Sequence, residues 1–305
     1  MTWTGTPAIA ERVDLLARRY RGAAREVLEP LVLAHHPALG RESPAEYRKM
    51  LELTAKMMLV GHACTEVGDF EFDAARQRTA ALFGGCCFLA DSFLDDFGPA
   101  SMAEYLDRFT ALLETGWFEI RSDRERLFYV IVARLFAARD VLTPLLRQAI
   151  LQLHLAQAED VRMRLDGAAL TTLTEGRRRA LLRQCARDRS GHAILVLANF
   201  LVPRLTLDQV AGLFCAGALV MFIDDHGDCH ADRQDGRLTY MNQIRDPERA
   251  LRRIFAKHLS QLLAILPSGP GRDLLLGFLT RYYRTRLAKH RQQARMGGSA
   301  WDVHE

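Results

Sequence analysis

Apolar residues recur three and four positions apart along most of this chain, and strict alternation of apolar and polar residues is nearly absent. That period matches the α-helical turn and leaves no pattern for a half-buried sheet, so the expected fold class is all-α. The spacing predicts helices near residues 8–36, 45–62, 73–97, 101–115, 122–138, 142–165, 175–199, 206–232, 247–266 and 271–294. Pro99, Pro203, Pro247 and the cluster Pro267-Ser268-Gly269-Pro270-Gly271 fall between these segments, where helix breakers belong. No long linker, repeat or low-complexity stretch divides the chain. With 305 residues, 49% of them hydrophobic, it can build a sizeable core, and a single antiparallel helical bundle over 1–296 with a flexible tail over 297–305 is expected.

One predicted helix carries an electrostatic problem. Fourteen uncharged, mostly apolar residues from Val210 to Ile223 run into Asp224-Asp225-His226-Gly227-Asp228-Cys229-His230-Ala231-Asp232. On a helix, Asp224, Asp228 and Asp232 stack on one stripe with Asp225 beside them. Carboxylates so arranged against an apolar interior repel one another unless a cation neutralises them or some hold protons. A divalent metal is the simplest remedy.

A second cluster offers an opposing face. In Gly84-Gly85-Cys86-Cys87-Phe88-Leu89-Ala90-Asp91-Ser92-Phe93-Leu94-Asp95-Asp96-Phe97, carboxylates again end an apolar helix, with Asp91 and Asp95 on one side and Asp96 about 100° round. Two such helices side by side would project Asp91, Asp95, Asp96, Asp224, Asp225, Asp228 and Asp232 into the mouth of a bundle with a central apolar cavity. Mg²⁺, a hard cation that joins carboxylates to phosphates, suits such a mouth. Solvated helix ends are the plainer explanation of each cluster taken alone. His226 and His230 stand at i, i+4 and could hold zinc, but no third His or Cys ligand is evident in the sequence.

Charge and cysteine usage exclude other classes. The net charge of +4 comes without any run of five basic residues, which gives no reason to expect nucleic acid as a partner. The six cysteines show no CxxC spacing and read as reduced core residues. Residues 1–10 lack the pattern of a secretion signal, and no apolar stretch is seen to reach the roughly 18 residues of a membrane span, so a cytoplasmic protein is expected.

Together the two clusters resemble the metal motifs of the all-α class I isoprenoid synthase superfamily, which includes trans-prenyltransferases, squalene synthase-like enzymes and class I terpene cyclases. DDHGDCHAD is similar to the second DDxxDxxxD motif of farnesyl diphosphate synthases. Its spacing also fits the (N/D)DxxSxxxE motif of terpene cyclases, whose chelating positions would fall on Asp224, Asp228 and Asp232. DSFLDD resembles the DxxxDD form of squalene synthase-like enzymes.

The resemblance implies a bundle that binds an isoprenyl diphosphate on Mg²⁺, as three ions, with Mn²⁺ as a substitute, and implies a homodimer. Asp91, Asp95, Asp224 and Asp228 would be the catalytic metal-binding core. Arg187-Asp188-Arg189 lies roughly where prenyltransferases carry a Lys-Thr that contacts diphosphate, and Gly236-Arg237 resembles their Gly-Lys. Arg281-Tyr282 resembles the Arg-Tyr pair of cyclases, making Arg187, Arg189, Arg237, Arg281 and Tyr282 the candidate diphosphate ligands. Phe88, Phe93, Phe200 and Phe222 are candidate pocket aromatics, with core packing an equal explanation of any one. Gln157 and Asp160, polar residues on an amphipathic helix, could line the cavity, with surface exposure the preferred reading.

The Gly-Gly-Lys segment and the Arg-Arg pair with which chain-elongating relatives bind isopentenyl diphosphate are both missing: no basic residue follows Asp96 until Arg108. Ionisation and cyclisation of one substrate is therefore the expected activity, with chain elongation or head-to-head coupling the alternative. A di-iron bundle, which needs two Glu-x-x-His motifs, and a non-catalytic helical binding protein are more distant readings.

Overall fold

The computed structural model describes residues 6–95, 99–137, 143–165, 170 and 172–301. Among them every regular element is helical: α1 Pro7–His35, α2 Pro37–Arg41, α3 Pro44–Val67, α4 Ala74–Asp95, α5 Pro99–Thr115, α6 Asp123–Ala137, α7 Pro144–Leu165, α8 Glu175–Leu201, α9 Leu207–Gln234, a 3₁₀ turn Met241–Gln243, α10 Pro247–Ile265 and α11 Pro270–Trp301. The all-α expectation and each of its ten helices are borne out. What periodicity missed are the single turns α2 and Met241–Gln243, too short to show a repeat. The last helix continues to Trp301, into the stretch expected as a tail.

Helix starts follow local chemistry. Proline opens α1, α2, α3, α5, α7, α10 and α11, where its missing N–H costs nothing. α9 begins with a capping box: Thr206 Oγ1 accepts from the Gln209 amide at 3.2 Å, and Gln209 Oε1 accepts from the Thr206 amide at 2.8 Å. Gln209 Nε2 also donates to the Val67 carbonyl at 2.7 Å, tying the start of α9 to the end of α3.

α9 is the central helix, packed against α8, α10 and α11. α11 returns to α3 and α1, α3 packs on α4, α4 meets α5 and α6, α5 meets α7, and α7 packs on α8. These contacts close a ring around an interior space. Glycines permit the tightest crossings. A Cβ on Gly217 of α9 would lie 2.3 Å from the Ser190 carbonyl oxygen of α8, and one on Gly84 of α4 would lie 2.6 Å from Thr54 Cα of α3.

The central position of α9 also corrects the sequence reading on membrane-length segments. Leu207–Gln234 is long and apolar enough, by length and composition, to cross a bilayer, and half of its most apolar window is buried inside the bundle. A helix flanked by three others needs apolar residues around most of its circumference, which produces the same composition.

Candidate active site

The ring of helices encloses a cavity of about 510 Å³. Its apolar wall draws on eight helices, with Leu53 and Met57 on α3, Phe83 on α4, Phe109 on α5, Phe136 on α6, Leu153 on α7, Phe200 on α8, Met221 on α9 and Phe278 on α11 among the lining residues. Its polar lining gathers Asp91 from α4, Asp160 from α7, Arg189 from α8, Asp224, Asp225, Asp228 and Asp232 from α9, Arg237 from the loop after α9, and Tyr282 and Arg286 from α11. Both acidic helix ends thus open into one space. Asp95 closes α4, but its side chain, like all of Asp96, lies outside the described residues.

On α9 the carboxylates meet cations from α11. Arg286 pairs with Asp224 and bridges to Asp228, with Nη2 2.8 Å from Oδ2. Lys289 pairs with Asp228, and the Tyr282 hydroxyl donates to Asp224. Gly227 makes this approach feasible: a Cβ there would stand 2.8 Å from Arg286 Cδ. The motif glycine is therefore the bed on which the arginine lies. Burial draws the Arg286 guanidinium down to about 10.

Asp225 is pushed up to about 7, chiefly by burial and then by Asp232, Asp160 and Asp228, with Arg189 opposing. Half-buried Arg189 pairs with Asp160 at 3.1 Å. Burial alone would lower it, but the carboxylates of Asp160, Asp91 and Asp225 together hold it above its ordinary value. Asp91 and Asp225 acting on one guanidinium show how near the two helix ends come.

Arg237 reaches the cavity because α9 ends in a Schellman turn. Gly236 adopts φ +67°, and the Arg237 amide donates back to the Asp232 carbonyl at 2.8 Å. Asn242 Nδ2 then holds the Arg237 carbonyl at 2.6 Å.

Other candidates sit elsewhere. Arg187 does not line the cavity; its guanidinium lies over the Phe214 ring, 5.7 Å from the centroid. Arg281 points outward to Asp14 on α1 at 2.8 Å. Of the four candidate aromatics only Phe200 lines the cavity. Phe93 stacks on Tyr105 with centroids 4.6 Å apart, Phe222 is fully buried beside Tyr240, and Phe88 packs against the core. Gln157 and Asp160, read as exposed, are part of the cavity wall, because the interior that α7 faces is polar at this level.

The sequence reading overlooked Arg286, Lys289 and His154. A face count along α11 would have found the first two, since Phe278, Tyr282, Arg286 and Lys289 follow one another at spacings of four, four and three, whereas Arg281 lies off that stripe.

The chemistry of the donor set fits Mg²⁺ or Mn²⁺. The cavity mouth offers only carboxylate oxygens as anionic ligands, and a cation among them would relieve the repulsion that raises Asp225. Among the described residues no three His, Cys, Asp or Glu side chains converge as a ready-made metal cluster. Asp224 and Asp228 are held instead by Arg286 and Lys289. Zinc fits poorly here: His226 and His230 do not line the cavity, and although His290 joins them, with ring centroids 4.1 and 4.7 Å away, the three rings form no metal cluster.

No family model matches the chain, and no curated protein matches its sequence. Solved structures do match. One is a protein provisionally described as a farnesyl-diphosphate synthase, from Marinomonas sp. MED121. It superposes with a TM-score of 0.54 at 13% identity, covering 89% of this chain and 98% of that one. A second is a geranyltransferase from Legionella pneumophila, with a TM-score of 0.53 at 11% identity, covering 90% and 98%. The chain shares their fold. It is the all-α isoprenoid synthase fold that the two acidic motifs implied, here spanning nearly the whole chain.

Proposed function

We propose that this protein is a Mg²⁺-dependent class I terpene synthase that ionises one isoprenyl diphosphate and lets the resulting carbocation cyclise in the apolar cavity. The observation that carries this reading is a cavity whose mouth collects carboxylates from α4 and α9 and whose wall is otherwise mainly hydrocarbon and aromatic. Asp91, Asp224, Asp228 and Asp232, joined by Asp95 and Asp96, would hold the metal, which supplies Lewis-acid stabilisation of the departing diphosphate. Arg189 and Arg237 flank that position and would bind the diphosphate oxygens through forked N–H donors. Arg286 would join them once released from Asp224 and Asp228. The Phe109, Phe136 and Phe200 faces exclude water and present electron-rich surfaces to a cationic chain.

Transfer between two prenyl substrates is the second reading, favoured by the names of the two similar structures. The missing basic pair after Asp96 favours the one-substrate reaction. Incubation with geranyl, farnesyl and geranylgeranyl diphosphates, with and without isopentenyl diphosphate, separates the two. We expect Mg²⁺-dependent diphosphate release and extractable hydrocarbon or alcohol without isopentenyl diphosphate. Asp91→Ala and Asp224→Ala should each abolish that release. Undiminished turnover in both variants overturns the metal assignment.

A further inference from the structure

Three aromatic rings close the cavity at the end remote from its carboxylates. Phe83 of α4, Phe136 of α6 and Phe200 of α8 all line it. Phe200 touches both of the others, its ring centroid 6.4 Å from that of Phe83 and 5.9 Å from that of Phe136, spacings at which aromatic rings are in contact. On α4 the lining residues run from Asp91 at the mouth through Ala90, Cys87 and Cys86 to Phe83, and on α8 they run from Arg189 to Phe200. The direction of α6 follows from Arg124 near its start, whose Nη1 donates to Ser92 Oγ, beside Asp91, at 3.0 Å. That helix therefore descends from the mouth, and Phe136 is its last residue on the cavity.

Helix geometry measures the depth. Eight residues separate Asp91 from Phe83, about 12 Å along α4, and eleven separate Arg189 from Phe200, about 16 Å along α8. An extended carbon chain advances about 1.2 Å per bond, as the extended backbone does, so a farnesyl chain of twelve main-chain carbons spans about 13 Å and a geranylgeranyl chain of sixteen about 18 Å. The first reaches the rings from a diphosphate held at the mouth. The second has to fold back above them, because rings already in contact leave no passage. A geranyl chain, about 8 Å long, stops short and leaves the lower wall without apolar contact.

Resting on the reading of this cavity as an isoprenyl diphosphate site, we infer that Phe83, Phe136 and Phe200 form a floor that fits the cavity to a C15 chain, with Phe200 as the specificity-determining residue. The small Cys86, Cys87 and Ala90 leave α4 open above that floor, so the chain descends past them.

The test measures binding by calorimetry on the full chain with Mg²⁺, using unreactive analogues of geranyl, farnesyl and geranylgeranyl diphosphate in which sulfur replaces the bridging oxygen. Wild type should bind the C15 analogue at least about tenfold more tightly than either other one. Phe200→Ala should move the ratio of C20 to C15 affinity at least about tenfold toward C20, and Phe200→Leu should move it the same way by less. A general loosening of the bundle would weaken all three analogues together and leave the ratio where it was. Equal binding of the C15 and C20 analogues by wild type, or an unchanged ratio in folded Phe200→Ala, overturns the inference. If Phe200→Ala does not fold, the ratio in Phe136→Leu, whose side chain is only half-buried, decides in the same way. Because the analogues do not react, a wild type that prefers C15 yet releases diphosphate only with isopentenyl diphosphate present supports the floor and overturns the cyclase reading alone.

Discussion

Asp225 shows what sequence spacing can and cannot assign. Helical geometry places it off the stripe of Asp224, Asp228 and Asp232, yet it lines the same cavity and faces Arg189 from across the α8–α9 seam. In the folded protein its carboxyl titrates near pH 7, while an unfolded aspartate titrates near pH 4. The folded state therefore binds the proton more tightly, and the resulting stability is fully present below about pH 4 and lost as pH rises through about 7. Thermal melts in chelator from pH 4 to 8 should show the wild type losing stability relative to Asp225→Asn, by on the order of 1 kcal/mol or more. Added Mg²⁺ should flatten that difference. Parallel pH curves for the two proteins would show that Asp225 is ionised throughout.

The elements matter through their crossings. α8 and α9 approach so closely at Gly217 and Ser190 that no side chain fits between them, and the same seam aligns Arg189 with Asp225. Gly217→Val should push the helices apart and cost about 3 kcal/mol, the upper part of the usual overpacking range, as measured by denaturant unfolding. It should also lower turnover although residue 217 touches no substrate. A variant of normal stability would mean that the seam is looser than the backbone distances require. The His226, His230 and His290 stack joins α9 to α11, and burial with imidazole neighbours draws His226 down to about 4, so that buried ring is uncharged at neutral pH.

At the scale of the whole molecule, the ring of helices compensates its inward carboxylates with cations from α11. Arg286 and Lys289 neutralise Asp224 and Asp228, so a metal–diphosphate pair would exchange one set of ion pairs for another. Mg²⁺ with inorganic diphosphate should raise the melting temperature, by the equivalent of about 2.7 kcal/mol at a hundredfold excess over Kd, and chelator should reverse the shift. Mg²⁺ alone should do less, because it must first displace Arg286. An equal shift from diphosphate in chelator would argue for a simple anion site built of arginines.

The all-α class, the ten principal helices and the two acidic helix ends follow from the sequence alone, because periodicity, proline placement and charge spacing are local properties read within a few turns. The DDHGDCHAD and DSFLDD motifs were legible for the same reason. Which arginines serve the cavity was not: Arg189 and Arg281 look alike in sequence, and only the packing of α8 and α11 turns one inward to Asp160 and the other out to Asp14. The same holds for His154, Gln157 and Asp160, whose place in the cavity wall is set by the way α7 is clamped between α5 and α8. Contacts between helices far apart along the chain leave no periodic trace in either partner, so tertiary structure alone decides them.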